Sequence, residues 1–325
     1  MLAWVVGAHG LLGQAVLREV ARRPQWTLFA AESLPWSDTP AIVPTVARLA
    51  RRFGEAVSGA DSEWAFIWVA GAGVVASGEE GLALEASVFE SALATVLAAV
   101  EAEGMGHRGV VFLASSAGGV YAGSEGPPFT EQSVPAPLAA YGRAKLRMEA
   151  WLEESAATAG VSTVVGRIAN LYGPGQKLSK PQGLISHLAL AQLSPRPASI
   201  FVPLDTVRDY LFVDDCALLV CDSLERARRE AIATGEPVHG TKILASGAGT
   251  SVAALLGSFR QLARRRPHVA LGSSPQASLQ PLDLRLSSTF WPELDRRQLT
   301  PLCVGIRATL LDMSARKQLS TTATE

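Results

Sequence analysis

The chain opens with a short apolar segment that runs directly into three regularly spaced glycines. Residues 2–6 predict a buried strand, Gly7, Gly10 and Gly13 follow it, and residues 14–23 form an amphipathic run. A strand, a glycine-rich turn and a helix in this order are typical of a dinucleotide site, whose pyrophosphate lies on the helix N-terminus. The spacing is G-x-x-G-x-x-G rather than the commoner G-x-G-x-x-G, so a glycine-rich turn of an ordinary α/β protein stays an alternative.

Strand-like apolar runs alternate with helical runs through the first half of the chain. The predicted strands are residues 26–31, 64–69, 110–114 and 161–167, and the predicted helices include residues 41–57 and 82–103. This alternation predicts an α/β fold, a doubly wound parallel sheet of the Rossmann type with helices on both faces. Between residues 31 and 64 there is one helical run and no clear third strand.

The pattern changes after residue 170, where proline and glycine become frequent and short strands mix with helices. We therefore expect residues 1–170 to form mainly a dinucleotide-binding domain and residues 171–325 mainly a smaller substrate-binding lobe. Residues 207–213 and the helix after them are candidates to return to the first sheet. Ligands of doubly wound folds bind beyond the carboxyl ends of the strands, so the site is expected at that edge.

Composition excludes several classes of function. The chain has 325 residues, is 48% hydrophobic and carries a net charge of −1, which favours neither a nucleic-acid nor a membrane-surface partner. We see no apolar run long enough to span a membrane and no signal peptide, and we expect a cytoplasmic protein. The cysteines form no disulfide framework, and two of them, Cys216 and Cys221, lie in an apolar helical run. The five histidines lack the spacing of metal ligands, so no metal is expected.

Tyr141 and Lys145 are four residues apart in a predicted helix and so share one face. An ammonium beside a phenol favours the phenolate, which makes such a tyrosine a usable proton donor and acceptor. Alone, this spacing is common on solvated helix faces. It gains meaning from the glycine turn and from Ser115 and Ser116 upstream.

Five motifs occur in the order found in one protein family. They are residues 7–13, residues 113–121 (LASSAGGVY), residues 141–145 (YGRAK), residues 167–176 (RIANLYGPGQ) and residues 208–215 (RDYLFVDD). With these motifs the chain resembles, over nearly its whole length, the extended short-chain dehydrogenases/reductases, the NAD-dependent epimerase/dehydratase group. Members of that group act largely on nucleotide sugars.

The resemblance implies a role for each matching residue. Tyr141 would be the general acid/base, and Lys145 would bind the nicotinamide ribose. Asn170 and Arg208 would bind the substrate near its diphosphate, although an ion pair of Arg208 with Asp209 or Asp214 is an alternative. Asp214 and Asp215 more readily cap the next helix. The remaining residues implied in cofactor binding are Gly7, His9, Gly10, Leu11, Leu12, Gly13, Glu32, Ala70, Gly71 and Ser115.

The chain departs from the family pattern at the expected catalytic serine or threonine, where it has Ala117. Ser116 or Ser115 would supply the hydroxyl if the following turn is displaced, and we favour Ser116, as a catalytic and substrate-binding residue. The Asp-Glu pair of dehydratases is replaced by Gly118 and Gly119, which disfavours dehydration.

Two further departures concern cofactor and substrate. Glu32 is the acid nearest the end of the second strand and would bind the ribose hydroxyls of NAD, although NADP is not excluded. Relatives often carry a second phosphate-binding arginine late in the chain, where this sequence has Gln280, and Arg285 is a candidate substitute.

The resemblance implies an NAD-dependent sugar-nucleotide epimerase. An NADPH-dependent ketoreductase of the same family is the near alternative, and a non-catalytic dinucleotide-binding sensor or scaffold is an alternative of another class. Relatives often dimerise through two helices per subunit, which predicts a homodimer built on residues 82–103 and 140–157. Residues 72–77 and 177–203 are expected to select the substrate, and residues 182 and 183 to begin a helix that contacts it.

Overall fold

The computed structural model describes residues 1–71, 73, 77–176, 183–263, 268–274 and 279–322. Its strands are β1 (Leu2–Val6), β2 (Thr27–Leu28), β3 (Trp64–Trp68), β4 (Gly109–Ser116), β5 (Ser162–Ile168), β6 (Asn170–Tyr172), β7 (Ala198–Ile200), β8 (Val207–Phe212), β9 (His239–Leu244), β10 (Gly249–Ser251), β11 (Val269–Leu271) and β12 (Asp283–Leu284). Its helices are α1 (Leu11–Ala21), α2 (Thr39–Gly59), α3 (Glu79–Ala102), α4 (Ala117–Val120), α5 (Ala140–Ala159), α6 (Leu184–Leu193), α7 (Val213–Thr234), α8 (Val252–Ala263) and α9 (Leu302–Thr322).

A six-stranded sheet of order β2-β1-β3-β4-β5-β9 forms the centre of the molecule. All of its strand pairs are parallel, so the carboxyl ends of its strands lie at one edge. The predicted doubly wound fold is thereby confirmed. The apolar run at residues 26–31 predicted a longer strand than β2. Between β2 and β3 the described chain has helix α2 and no further strand.

Apolar side chains cover both faces of this sheet, which is why its strands read as continuous hydrophobic runs. Helices α1 and α7 pack on one face, around Val16, Val220 and Leu224. Helices α2, α3 and α5 pack on the other face, around Phe53 and Phe89. This arrangement leaves the carboxyl edge of the sheet open to the loops that follow each strand.

Helix α3 corrects one expectation. It is the one helix in the described residues that is long and apolar enough to cross a membrane, with a mean hydropathy of 1.6, although the sequence analysis found no such run. Three of the five acidic residues of α3 lie at its ends, and the alanine- and leucine-rich stretch between them carries Glu85 and Glu90. In the structure one face of this helix packs against α2 and α5, with Phe89, Leu93 and Val96 fully buried.

The second lobe is built around a separate sheet. Strand β8 pairs with β6, β10 and β12, and α6, α8 and α9 enclose a core of their own beside them. The prediction that residues 207–213 return to the first sheet was therefore wrong, because β9 takes the edge position beside β5 instead. Helix α7 does lie against the first domain, packed on α1. Alternative strand pairings of this kind depend on contacts between distant segments, which local sequence patterns do not encode.

Candidate active site

The glycine turn lies at the carboxyl end of β1. Gly7 has a φ of +94°, and a Cβ on it would lie 2.5 Å from the Ala70 backbone nitrogen at the end of β3. A Cβ on Gly13 would lie 2.1 Å from the Gly7 carbonyl oxygen. Both positions therefore require glycine, for the reasons the sequence suggested: a tight turn at Gly7 and close helix packing at Gly13.

Helix α1 starts directly after this turn. Gly10 precedes it without a side-chain cap, and its first turn carries no acidic residue. The N–H groups of Leu11 and Leu12 thus have no intrahelical acceptor, as in the first turn of any helix. Together with the helix dipole they form a surface suited to an anion. Ala70 and Gly71 follow β3 at the same edge, beside the turn.

The loop after β2 contacts the glycine turn through one side chain. His9 Nε2 lies 2.8 Å from Ser33 Oγ, which links the glycine turn to this loop. Glu32 forms an ion pair with Arg48 of α2, and both side chains are about half exposed. The acid predicted to bind a ribose therefore already has a cationic partner, which the sequence analysis did not foresee.

Tyr141 and Lys145 lie in the first two turns of α5, on one face as predicted. Lys145 is buried, with 5% of its surface exposed, and its Nζ is 5.7 Å from the centre of the Tyr141 ring. Lys145 forms an ion pair with an acid that sequence reasoning missed, Glu85 of α3, at 3.2 Å. An acid in an apolar helix gives no local signal for this contact, because it arises from the packing of α3 on α5.

The two serines after β4 have different surroundings. Ser115 is buried and its Oγ donates a hydrogen bond to Glu149 of α5. Ser116 Oγ accepts from the Gly119 N–H at 3.2 Å and so caps α4. Ser115 therefore points into the protein rather than towards a ligand, and Ser116 is the more accessible of the two hydroxyls.

Gly119 lies flat against the Tyr141 ring. A Cβ on Gly119 would be 2.9 Å from Tyr141 Cδ1, and a Cβ on Gly142 would be 2.1 Å from the Gly119 carbonyl oxygen. The short helix α4 and the start of α5 are thus packed backbone to backbone. A side chain at position 119, where dehydratases carry an acid, would displace Tyr141.

A fully buried polar network lies below this part of the site. Arg167 of β5 binds Glu149 through Nη2–Oε2 at 2.6 Å and Nε–Oε2 at 3.2 Å, and its Nη1 donates to Tyr121 Oη at 2.7 Å. Burial alone would lower the pKa of Arg167, but the hydrogen bonds and charge of Glu149 outweigh it and leave that pKa raised. Glu149 is one turn after Lys145, so the network fixes α5 to the sheet.

Asn170 lies on β6 and Arg208 on β8, and these two strands pair in the second lobe. Asn170 Nδ2 donates to the Asp209 carbonyl oxygen at 3.0 Å. The predicted alternative, an ion pair of Arg208 with Asp209 or Asp214, was wrong. Asp209 lies on the opposite face of β8 and accepts from the Ser246 N–H, while Asp214 pairs with Arg18 of α1.

Arg208 is 9% exposed and lacks a carboxylate within ion-pair distance in the described residues. Its Nη1 donates to the Val207 carbonyl oxygen at 2.8 Å, and its Nη2 lies 3.4 Å from Gln280 Oε1. Burial lowers the pKa of Arg208, and the nearby Tyr210 and Asp283 offset this only in part. Arg285, the candidate for a second phosphate ligand, is held by Asp283 at 2.8 Å on the surface.

An open cavity of about 330 Å³ lies in the same lobe, between residues 200–204 and 271–274. Phe201 lines it with 47% of its surface exposed. Residues 200–203 belong to the segment predicted to select the substrate. Residues 72, 74–76 and 177–182 of the two predicted selectivity segments lie outside the described residues, and so does Gln182 at the start of the predicted substrate helix.

Other candidate chemistries find no support in the described part of the chain. No group of three or more His, Cys, Asp or Glu side chains is placed to hold a metal ion there. Cys216 and Cys221 are buried in α7, as predicted, and burial raises the pKa of both thiols. All three cysteines are free.

Comparison with known proteins identifies relatives over most of the chain. The sequence profile of the NAD dependent epimerase/dehydratase family matches residues 3–234. Escherichia coli dTDP-4-dehydro-6-deoxyglucose reductase is 30% identical over 137 residues, which are 41% of this chain and 43% of that protein. The chain thus matches less than half the length of this curated relative.

Solved structures match the fold along its whole length. UDP-glucose 4-epimerase of Thermotoga maritima, solved with UDP-glucose, has a TM-score of 0.75 at 21% identity, covering 98% of this chain and 100% of that one. RMD of Pseudomonas aeruginosa, solved with NADPH, has a TM-score of 0.74 at 21% identity, covering 97% and 99%. At these identities the likeness concerns the fold.

Proposed function

The chain belongs to the NAD-dependent epimerase/dehydratase family, and we propose that it catalyses epimerisation or another oxidation–reduction at a hydroxyl-bearing carbon of a nucleotide sugar. The observation that carries this proposal is the placement of Tyr141 and Lys145 at the carboxyl edge of the sheet, with the Gly7–Gly13 turn at the same edge. Proton transfer by the tyrosine and anion binding by the turn are the two activities that such a reaction requires of the protein.

The residues present fit a nicotinamide dinucleotide. The backbone of the glycine turn leaves no room for a Cβ at Gly7 or Gly13, and the start of α1 offers N–H groups and a dipole to a diphosphate. Lys145 would hold the nicotinamide ribose. When bound, the dinucleotide supplies the hydride chemistry, whereas the protein orients the substrate and transfers the proton. NAD is our first choice because Glu32 follows β2, although its ion pair with Arg48 leaves NADP open.

Two side chains of the protein would act on the substrate oxygen. Tyr141 Oη would exchange a proton with the substrate oxygen, and Ser116 Oγ would hydrogen-bond the same atom and stabilise charge there. Gly119 packs against the Tyr141 ring and so fixes its orientation. Because neither Gly118 nor Gly119 offers an acid, we propose that the reaction is not a dehydration.

The substrate's nucleotide part is assigned to the second lobe. A buried guanidinium that lacks a carboxylate partner among the described residues is a suitable ligand for phosphate, and Arg208 provides it, while Asn170 lies on β6, the strand that pairs with the Arg208 strand. The exposed Phe201 ring in the cavity of the same lobe offers a surface on which a nucleobase can stack. Relatives named above include a protein solved with UDP-glucose and a reductase of a dTDP sugar.

The experiment that tests this proposal is native mass spectrometry of the purified protein, followed by heat release and identification of any bound dinucleotide. Near-stoichiometric retained NAD would support an epimerase that recycles its cofactor. Screening of UDP- and dTDP-sugars would then follow, with Tyr141→Phe as the inactive control, expected to lose about 10²- to 10⁴-fold in kcat. If neither NAD nor NADPH bound, both the epimerase and the reductase proposals would be contradicted, and the non-catalytic scaffold would be the remaining alternative.

A reductase is the second candidate, and the Escherichia coli relative named above, a reductase of a dTDP sugar, favours it. An empty site that binds NADPH reversibly, with consumption of NADPH on addition of a 4-keto sugar nucleotide, would identify this reaction. Consumption of NADPH by wild type and by Tyr141→Phe alike would argue against it.

We propose further that the protein is a homodimer through α3 and α5, whose outer faces lie side by side. The outer face of α3 is rich in small residues and includes Leu84, which is 45% exposed. Such faces suit close helix packing between subunits. Light scattering on the purified protein tests this directly, and a monomer at micromolar concentration would contradict it.

A further inference from the structure

Trp36 is an exposed indole in the loop between β2 and α2. All seven tryptophans of the chain lie in the described residues, and among them Trp36 alone is exposed, with 48% of its surface open. The others are buried or partly buried: Trp4, Trp26, Trp64, Trp68, Trp151 and Trp291. A single exposed apolar side chain needs no explanation by itself. This one does, because its loop follows a strand of the parallel sheet and so lies at the edge where the dinucleotide is proposed to bind.

The loop holds this indole in a fixed place. Leu34 is buried in the core on the α2 side of the sheet, and the Trp36 N–H donates to the Leu34 carbonyl oxygen at 2.9 Å. The Asp38 N–H donates to the Pro35 carbonyl oxygen at 2.9 Å, which closes a tight turn just before α2. The ring of Pro35 also restricts the backbone ahead of the tryptophan. A ring carried by such a segment is preorganised, so little conformational freedom is lost when a ligand binds to it.

The Trp36 ring rests on the end of a central strand. It packs edge-to-face on Trp68, the last residue of β3, with ring centroids 6.2 Å apart and an angle of 78° between the planes. Two residues later comes Ala70, whose backbone nitrogen would lie 2.5 Å from a Cβ on Gly7. The indole is therefore supported by the same strand end that borders the glycine turn.

A second contact connects the loop of Trp36 to the glycine turn. His9 Nε2 in the turn lies 2.8 Å from Ser33 Oγ. Trp36 follows Ser33 by three residues, and three residues span at most about 11 Å between Cα atoms even when fully extended. Glu32, the acid expected to bind a ribose, directly precedes Ser33. The loop therefore presents a ribose ligand and an aromatic ring, in that order, starting from the anion-binding turn.

An adenosine diphosphate group has its parts bonded in the same order, which is diphosphate, ribose and base. The faces of nucleobases stack on aromatic side chains, and this contact does not depend on the hydrogen-bonding groups of the base. An indole with about half of its surface open and its position fixed offers such a face. The order of the three ligands thus matches the adenine half of a dinucleotide.

The nicotinamide half is assigned to the other end of the same face. Trp36 lies just before α2, Tyr141 lies in the first turn of α5, and α3 packs against both helices. Packed helices have interaxial distances of about 8–10 Å, so α2 and α5 are separated by roughly 16–20 Å. The two aromatic side chains are therefore placed to contact opposite ends of an extended dinucleotide rather than one ring.

We propose that Trp36 is the aromatic platform on which the adenine ring of the dinucleotide stacks. The inference rests on the proposed function, because it takes a dinucleotide to lie on the glycine turn, and it names the side chain that binds the adenine end. The stack contributes to affinity for the cofactor and leaves the proton transfer by Tyr141 unchanged.

The first test is calorimetry of the full-length protein with NAD and with ADP-ribose, which lacks the nicotinamide. We expect Trp36→Ala to weaken the binding of both about 5- to 150-fold, the loss for removal of one aromatic stacking partner. Trp36→Phe keeps an aromatic ring and is expected to lose less. Where NAD is retained through purification, the retained fraction is measured instead by native mass spectrometry, and it should be clearly lower in Trp36→Ala than in wild type.

The second test observes the indole itself. Acrylamide quenches the fluorescence of exposed tryptophans, and the contribution of Trp36 is the difference between wild type and Trp36→Phe. We expect saturating ADP-ribose to protect this contribution, because the base covers the open face of the ring. Val43→Ala is the matched control, since it removes another apolar side chain, 52% exposed, from the start of α2, and it should leave the affinity for NAD unchanged. Thermal unfolding checks that each variant is folded.

Unchanged affinity for NAD and ADP-ribose in folded Trp36→Ala would overturn the proposal, and so would a loss of equal size in Val43→Ala. Continued quenching of Trp36 at saturating ADP-ribose would do the same, because it would show the ring uncovered. A loss confined to UDP would make Trp36 a substrate contact instead. In all of these outcomes wild type still binds the dinucleotide, so the proposed function stands. A wild-type protein that binds neither NAD nor ADP-ribose would contradict the proposed function and this inference together.

Discussion

Arg167 in the first domain and Arg208 in the second lobe are buried to almost the same extent, with 8% and 9% of their surfaces exposed. Their partners differ. Arg167 binds the Glu149 carboxylate in two places and Tyr121 besides, and its pKa is raised. Arg208 meets a backbone carbonyl and, at 3.4 Å, a glutamine oxygen, and burial lowers its pKa.

The fold depends on a buried charge that is bound by an opposite charge, because its removal leaves the partner charge unpaired, whereas a buried charge without a counter-ion stabilises only a state in which an anion is bound. The contrast therefore separates a structural arginine from a ligand-binding arginine without reference to any relative. It also explains why Gln280 is compatible with a phosphate site. A glutamine oriented by Arg208 leaves that guanidinium uncompensated, while an acid there would neutralise it.

The largest expected effect comes from Arg167→Met. This change leaves Glu149 as a buried carboxylate with Ser115 as its remaining side-chain partner, and removal of one member of a buried ion pair costs about 3–5 kcal/mol. We expect the free energy of unfolding, measured by urea denaturation, to fall by that amount. The companion double variant Glu149→Leu/Arg167→Met should lose less, since it leaves no charge unpaired.

Arg208→Met is expected to weaken nucleotide binding without lowering stability, whereas Arg167→Met lowers stability. The free energy of unfolding of Arg208→Met should equal or slightly exceed that of wild type, because an uncompensated guanidinium is removed. Its affinity for UDP or dTDP, measured by calorimetry, should fall about 10- to 100-fold, the range for hydrogen bonds to a charged group. Equal losses of stability in Arg167→Met and Arg208→Met would remove the distinction between the two sites.

A smaller effect is expected from ligand-induced stabilisation. UDP at about one hundred times its dissociation constant should add about 2.7 kcal/mol to the stability of a protein that binds it only when folded. Wild type and the folded fraction of Arg167→Met should both gain, while Arg208→Met at the same UDP concentration should gain clearly less. A full gain in Arg208→Met would place the diphosphate elsewhere in the molecule.

The parts of this picture that the sequence predicts are those with local signals. Gly7, Gly13, Tyr141 and Lys145 stand in short motifs whose spacing has a direct geometric meaning, and the structure places all four at one edge of the sheet. Arg208 came from a family motif, but its lack of a carboxylate partner among the described residues depends on how β8 is paired.

What the sequence could not predict depends on contacts between distant segments. The prediction that residues 207–213 return to the first sheet was wrong because their own pattern does not show which sheet they join, and β9, some 30 residues later, is the edge strand. Glu85 reads as an ordinary charge on an apolar helix until α3 is packed on α5. The pairing of Glu32 with Arg48 likewise follows from the approach of α2 to the loop after β2.

Arg285→Gln is expected to have the smallest effect, and it completes the comparison with a third arginine. Arg285 is held by Asp283 at the surface, where salt and water screen the pair, so its removal should change the thermal midpoint of unfolding little. We expect the affinity for UDP to stay within about twofold of wild type, because the guanidinium is already engaged and solvated. A tenfold loss of affinity in calorimetry would instead make Arg285 the second phosphate ligand, and burial would then be a poor guide to which arginine binds substrate.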